Sequence, residues 1–339
     1  MVRLSDRLAE IEGISNEGKR IMYYLGIDLG GMSAKCAVLK DGVLCGVCRC
    51  KTDSKNTPEQ TAIDLANLAK EAVEKSGLKL SDIGGLGIGS PGVINSEKGE
   101  VVCWANFGWE HVNLAELVSQ SLDLPVYVLN DANAAAMGEY VYGAAKNYRS
   151  AVMITVGTGI GSGIVFDGQL FEGNGGAGAE LGHEVIRFGG EKCSCGRRGC
   201  LEAYASASAL IRQTQKAMAK HPESLLWSLC DGDSNAVSGK ILFDALHQGD
   251  KTAKAVFHKY IQYLCEGVVN VANVLRPQAI IIGGGISAQG ETLTKPLQRR
   301  ANKYMLGGDS WAEVKIVAAT LGNDAGIYGA AAFAENKRK

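Results

Sequence analysis

The sequence predicts an α/β protein of two related lobes facing a common cleft, and three observations carry that prediction. The first is length, because 339 residues exceed the size at which one hydrophobic core usually stops growing. The second is alternation: apolar strand-like runs and helix-like stretches follow one another, which calls for a mostly parallel sheet covered by helices. The third is an internal repeat. Tyr24 to Leu44 and Ala151 to Leu170 each read strand, glycine-rich turn, strand, Asp-Gly turn, so each lobe opens with a hairpin whose first turn faces the cleft.

The elements follow in order. Residues 1–20 are charged throughout and read as a short polar helix, an N-terminal appendage too short for a helix-turn-helix domain. Tyr23 to Cys50 read as strands around Asp41-Gly42, a pair that supplies the positive φ angles of a tight turn. Pro58 to Ser76 has Ala62, Leu65, Ala66, Ala69, Ala72 and Val73 at helical spacing, and a strand follows at Ile83 to Gly89. A helix near Asn113 to Leu122 leads into the strand PVYVL and an Ala-rich helix starting at Asp131. After the repeated hairpin come a long helix, Thr252 to Leu275, stopped by Pro277, then the strand QAIIIGGGIS. A helix to about Tyr304, the strand EVKIVAAT and a final Ala-rich helix complete the chain.

Composition narrows the ligand. Apolar residues make up 46% and charged residues 21%, as in an ordinary globular protein. Lys plus Arg (35) and Asp plus Glu (36) nearly cancel with no basic stripe, so no nucleic-acid partner is expected. No apolar run approaches the roughly 20 residues of a membrane span, and the N-terminus lacks a signal peptide's apolar stretch, so a cytoplasmic location is expected. Ten cysteines in a reducing compartment do not make a disulfide framework, and seven of them read as small core or strand residues.

Gly13 to Arg20 nearly spells a P-loop, but it lacks the final hydroxyl and a preceding apolar strand. The run Gly157 to Gly163 follows a strand without opening a helix, so it is not a dinucleotide fingerprint. It reads instead as a hairpin turn, Gly157-Thr158-Gly159, whose amides can curl around phosphate oxygens. The matching first-lobe turn, Asp28-Leu29-Gly30-Gly31, sets a carboxylate at a strand end where it can hold magnesium through water. Gly283-Gly284-Gly285 ends a third apolar strand and can pass under an adenine or ribose.

His183, Cys193, Cys195 and Cys200 give the spacing H-x9-C-x-C-x4-C. Three thiolates and an imidazole suit tetrahedral zinc, and four protein ligands leave no open position, so the site is structural. Glu180 and Glu202 flank this loop, and ionised carboxylates accept well from sugar hydroxyls. Asp131 stands between a strand and a helix, where it reads both as an N-cap and as a base facing the cleft, with Asn130 able to bond a neighbouring hydroxyl.

These residues, with DLGG (28–31), SPG (90–92), NFGW (106–109), NDANAAAMGE (130–139), GTGIGSGI (157–164), ELGHE (180–184), CSCGRRGCLEAYAS (193–206), IIGGGIS (281–287) and DAGIYGAA (324–331), resemble the ROK family of sugar kinases, its bacterial glucokinases most of all. The resemblance implies the two-lobed actin-like ATPase fold, also called hexokinase-like or ribonuclease H-like, with the last helix returning to the first lobe. It implies a small lobe at 21–129 joined by a helix at about 325–339, and a large lobe at 130–324 with a zinc loop at 183–200. Asp131 would take the proton of a glucose 6-hydroxyl while Mg²⁺-ATP supplies the phosphoryl group. Asn106, Asn130, Glu180, His183 and Glu202 would hold the other hydroxyls, and each glycine turn would touch nucleotide. Another hexose such as N-acetylmannosamine, or a sugar-responsive repressor, are the alternatives, and family members form dimers or tetramers. The family's Thr after the first glycine pair is Met32 here, which removes a hydroxyl from that turn.

Overall fold

The structure, a computed structural model, describes residues 22–308 and 310–338. The polar N-terminal segment 1–20 and its P-loop-like run lie outside the described residues. The chain forms β1 (Tyr23–Leu29), β2 (Ser33–Lys40), β3 (Val43–Lys51), α1 (Pro58–Lys75) and β4 (Ile83–Ser90). Then come β5 (Val93–Asn95), β6 (Glu100–Trp104), β7 (Trp109–Val112), α2 (Leu114–Leu122), β8 (Val126–Asn130) and α3 (Asp131–Val141). The second half begins with β9 (Ser150–Val156), β10 (Ile160–Phe166) and β11 (Gln169–Phe171), followed by α4 (Glu202–Ala205), α5 (Ala207–Met218), α6 (Leu225–Leu229) and α7 (Gly239–His247). It closes with α8 (Lys251–Val274), β12 (Ala279–Gly283), α9 (Glu291–Tyr304), β13 (Lys315–Ala318) and α10 (Ala325–Arg338).

Two five-stranded sheets repeat one plan, β3-β2-β1-β4-β8 and β11-β10-β9-β12-β13. In each, the first three strands are antiparallel neighbours and the last two join in parallel. The repeated hairpins therefore occupy equivalent places. A third sheet, β5-β6-β7, has no counterpart in the sequence reading: its strands of three to five residues are too short to show alternation. It is held by aromatic packing, with Trp104 stacked on Phe107 at 3.8 Å and Trp109 edge-on to both.

Local signals place the covering helices. Pro58 opens α1 after Thr57, whose hydroxyl caps Gln60 N–H, and the helix buries Leu65, Ala66, Leu68 and Ala69. The sheets exchange their final helices: α3 leaves the first sheet and packs on β9 and β10, whereas α10 leaves the second and packs on β1 and β4. The two helices also cross each other. Small residues make this approach possible, since a Cβ at Gly329 would lie 1.7 Å from the Ala134 carbonyl oxygen and one at Gly87 would lie 1.9 Å from that of Ala330.

Candidate functional site

A cavity of about 500 Å³ opens between the two sheets. The end of β1 contributes Asp28, the start of α3 contributes Asp131, Ala132 and Ala135, and β9 contributes Met153 and Thr155. Gly157, Gly159, Ile160, Gly161 and Glu202 line one side, and Gly284, Ser287 and residues between Ala319 and Gly326 line the other. Strand ends and helix starts converge here, the usual ligand position in α/β folds.

Asp131 is the first residue of α3, but the N-cap is Asn130, which corrects the reading of Asp131 as the cap. Asn130 Oδ1 accepts from Ala132 N–H at 2.9 Å and Asn133 N–H at 3.2 Å, while its Nδ2 donates to the Gly92 carbonyl at 3.1 Å. The cap frees Asp131 for the cavity. Its Oδ1 accepts from Ala132 N–H at 2.8 Å, and no side chain among the described residues donates to or pairs with its other oxygen. Burial pushes Asp131 up to about 6, opposed by the Ala132 N–H and aided by the charges of Asp28 and Glu180. A half-buried carboxylate poised near neutrality with a free oxygen is suited to accept a proton.

Asp28 is also raised, first by burial, with Lys35 lowering it and Asp324 raising it. Lys35 stands directly across from Asp28 in the β1–β2 ladder and forms an ion pair with Asp324, just before α10. On the opposite wall, Glu202 ties two loops together: its Oε2 accepts from Ile160 N–H at 3.0 Å and its Oε1 from Ser194 Oγ at 2.7 Å. The glycine turn closes through a Gly157 N–H bond to the Gly159 carbonyl at 3.0 Å.

The sequence candidates thus fall into three groups. Asp28, Asp131, Gly157, Gly159, Glu202 and Gly284 line the cavity. Glu180 and His183 line a second hollow with Glu184, Arg197 and Asn270. Asn106, Asn130, Gly30, Gly31, Thr158, Gly283 and Gly285 line neither, with Asn106 and Thr158 exposed and Gly283 buried in β12.

Thr155, Ser287 and Asn323 line the cavity without having been singled out. One signal points to the last: Asn323-Asp324-Ala325 repeats Asn130-Asp131-Ala132 at the start of the equivalent helix. Glu139 of α3 was also missed. Its fully buried carboxylate accepts from the N–H groups of Thr320 (2.8 Å), Leu321 (2.7 Å) and Ala144 (2.7 Å), which fixes the loop leading to Asn323.

The donor atoms of His183, Cys193, Cys195 and Cys200 all lie within 4.8 Å of one another. The Cys195 and Cys200 sulfurs are 3.7 Å apart, and Cys193 Sγ is 3.6 Å from His183 Nδ1. That separation is far beyond a disulfide bond. It matches the roughly 3.8 Å edge of a tetrahedron with metal–sulfur bonds of about 2.3 Å. Paired turns hold the loop, with Cys193 N–H bonded to the Arg197 carbonyl at 2.9 Å and Gly196 N–H to that of Cys193 at 3.1 Å. The donor set is compatible with a structural zinc ion.

Known proteins share this fold. The family model described as ROK family matches residues 24–337. The glucokinase of Halalkalibacterium halodurans is 36% identical over 91% of this chain and 93% of its own. A crystal structure of a ROK family glucokinase from Streptomyces griseus, in complex with glucose and AMPPNP, superposes with a TM-score of 0.79 at 33% identity, covering 93% of this chain and 99% of that one. The xylose repressor of Caldicellulosiruptor bescii is 33% identical over 70% of this chain and 59% of its own.

Proposed function

This chain belongs to the ROK family, and from that premise we propose that it is a glucokinase that transfers the γ-phosphoryl group of ATP to the 6-hydroxyl of glucose. The observation that carries this reading is Asp131, a desolvated carboxylate at about 6 with one free oxygen, in a cavity edged by glycine turns. The glucokinase relatives and the glucose and AMPPNP complex support the choice of substrates.

In this mechanism the free oxygen of Asp131 takes the hydroxyl proton as the sugar oxygen attacks phosphorus. Amides of the Gly157–Gly159 turn surround the phosphates, with Thr158 beside them, and Gly30 and Gly31 border the same phosphates from the first lobe. Gly283, Gly284 and Gly285 pass under the nucleoside. Asp28 would hold Mg²⁺ through water, and the ion accompanying ATP would supply charge neutralisation at the transferred group.

Asn106, Asn130, Glu180, His183 and Glu202 hold the remaining sugar hydroxyls. His183, Cys193, Cys195 and Cys200 would hold Zn²⁺, which would set the loop without joining the chemistry; the 3.6 Å approach of His183 Nδ1 to Cys193 supports Nδ1 as the metal-facing nitrogen, leaving Nε2 for sugar. The small lobe spans 21–129 with the helix from about 325 returning to it, and the large lobe spans 130–324. The enzyme works in the cytoplasm as a homodimer or homotetramer.

A coupled assay with a panel of hexoses, ATP and Mg²⁺ tests this. Turnover of glucose above N-acetylmannosamine and other hexoses is expected. No turnover of any hexose, together with retention of DNA, would overturn the enzyme in favour of a regulator.

A further inference from the structure

We propose that the hollow between α8 and α9 is a second binding site, lined by none of the residues assigned above, that takes a small dianionic phosphate monoester. The hollow encloses about 360 Å³ and is lined by His258 and Gln262 of α8 and by Arg299, Arg300, Lys303 and Tyr304 of α9, with no carboxylate on its walls. Three cationic side chains thus share one concavity on a chain whose net charge is −1.

Their surroundings are unlike those of the other cations on the same helix. Lys295 pairs with Glu291 one turn away. Among the described residues, Arg299, Arg300 and Lys303 form no ion pair with any Asp or Glu, and Glu266, one turn along α8 from Gln262, is not drawn to them. Arg300 supplies the second, independent observation. Its Nε is buried with no hydrogen-bond partner, the guanidinium's neighbour on α8 being the weakly accepting Cys265 thiol, and a charged donor left unpaired inside a protein is costly. The guanidinium is fixed over the Tyr304 ring at 4.7 Å and Lys303 approaches the same ring at 5.4 Å, so the charges are held in place.

A purely structural account is that cations in the last turns of α9 complement the helix dipole. It explains why they sit near Tyr304, but not why the Arg300 Nε–H is buried without a hydrogen-bond partner. An anion answers both. The negative end of the dipole opposes a bound anion, so a site here needs several cations, and the three present favour a doubly charged guest over a carboxylate. Arginine forks match phosphate oxygens in pairs. The volume falls at the lower end of small-molecule pockets and exceeds a bare ion, and His258 and Gln262 can bond the hydroxyls of an organic body.

Calorimetric titration of the full chain tests the site at constant ionic strength, with glucose and a non-hydrolysable ATP analogue saturating the catalytic cleft. The probes are glucose 6-phosphate, as a stable hexose phosphate, and inorganic phosphate. One equivalent of glucose 6-phosphate is expected to bind more tightly than inorganic phosphate. The Arg299→Ala/Lys303→Ala variant, changed at two exposed positions, should weaken it by about tenfold or more. Arg300→Lys, which keeps the charge but loses the fork, should weaken it as well. Unchanged affinity in both variants overturns the site, and so does binding that chloride abolishes at equal concentration. Equal affinity for the two probes overturns the ester and leaves free phosphate as the guest. Because none of these residues lines the catalytic cleft, failure here leaves the kinase reading standing, and failure of that reading leaves the difference between variants measurable.

Discussion

The same three residues lead into two helices of this protein, and only one of the two acids is unpaired among the described residues. Asn130-Asp131-Ala132 opens α3 and Asn323-Asp324-Ala325 opens α10, each following the last strand of its sheet. Asp324 is paired with Lys35, whereas Asp131 pairs with no cation among the described residues and is pushed up to about 6 by burial. Identical residues at equivalent places of a duplicated fold thus diverge through burial and the presence or absence of a paired lysine. Burial with no compensating cation suits Asp131 to accept a proton near neutral pH.

The largest effect should come from breaking the free acid. Asp131→Ala is expected to lower kcat by about 10²–10⁴-fold, the usual worth of a positioned base, with glucose affinity by calorimetry little changed. Activity near wild type would remove Asp131 from that role and with it the comparison. A pH profile comes next: protonation of Asp131 below its value of about 6 abolishes its capacity as base, so kcat/KM should fall tenfold per unit on the acid side. Asp28→Asn removes a charge that raises Asp131, so this limb should move to lower pH; a limb that stays put means another group controls it.

Cys195→Ala, or chelation, tests the loop that stands apart from the transfer. Glucose KM should rise and local protease resistance fall, with a smaller change in kcat than at Asp131. A metal-free variant with wild-type KM would separate the two roles assigned to His183. Breaking the paired acid should matter less, since a partly exposed ion pair contributes about 1 kcal/mol or less: Asp324→Asn should shift thermal stability slightly and leave the acid limb in place. A loss of kcat matching that of Asp131→Ala would show that both helices serve the chemistry. The smallest effect is expected at Met32, which is 86% exposed: Met32→Thr should lower ATP KM modestly, and unchanged kinetics would show that amides alone suffice in that turn.

Much of the fold was legible because its hairpins and long helices obey local rules. Asp41-Gly42 and Asp167-Gly168 both adopt positive φ, and α1 and α8 end within a residue or two of the positions their periodicity sets. The helices α5 to α7 were not legible, being about three turns long or less, with polar Thr214 buried among the apolar positions of α5. At the site, residue type and spacing pointed to the metal donors and to Asp131, because few other arrangements explain them. Glu139 and Asn323 escaped because their importance lies in tertiary partners: the peptide groups that Glu139 satisfies are nearly two hundred positions away. Asn130 has a further role that its adjacency to Asp131 does not reveal: its side chain caps α3 and donates to the Gly92 carbonyl, which leaves one Nδ2 hydrogen for a sugar hydroxyl.

The exchange of final helices bears on how the protein is made. The first sheet lacks its α10 cover until Ala325–Arg338 has been synthesised, so on the ribosome Gly26, Gly87 and their apolar neighbours wait exposed while most of the chain emerges. The N-terminal half therefore cannot mature first, as independent domains do during translation. Its completion is a contact of very long sequence separation, the kind that slows folding and calls on chaperones.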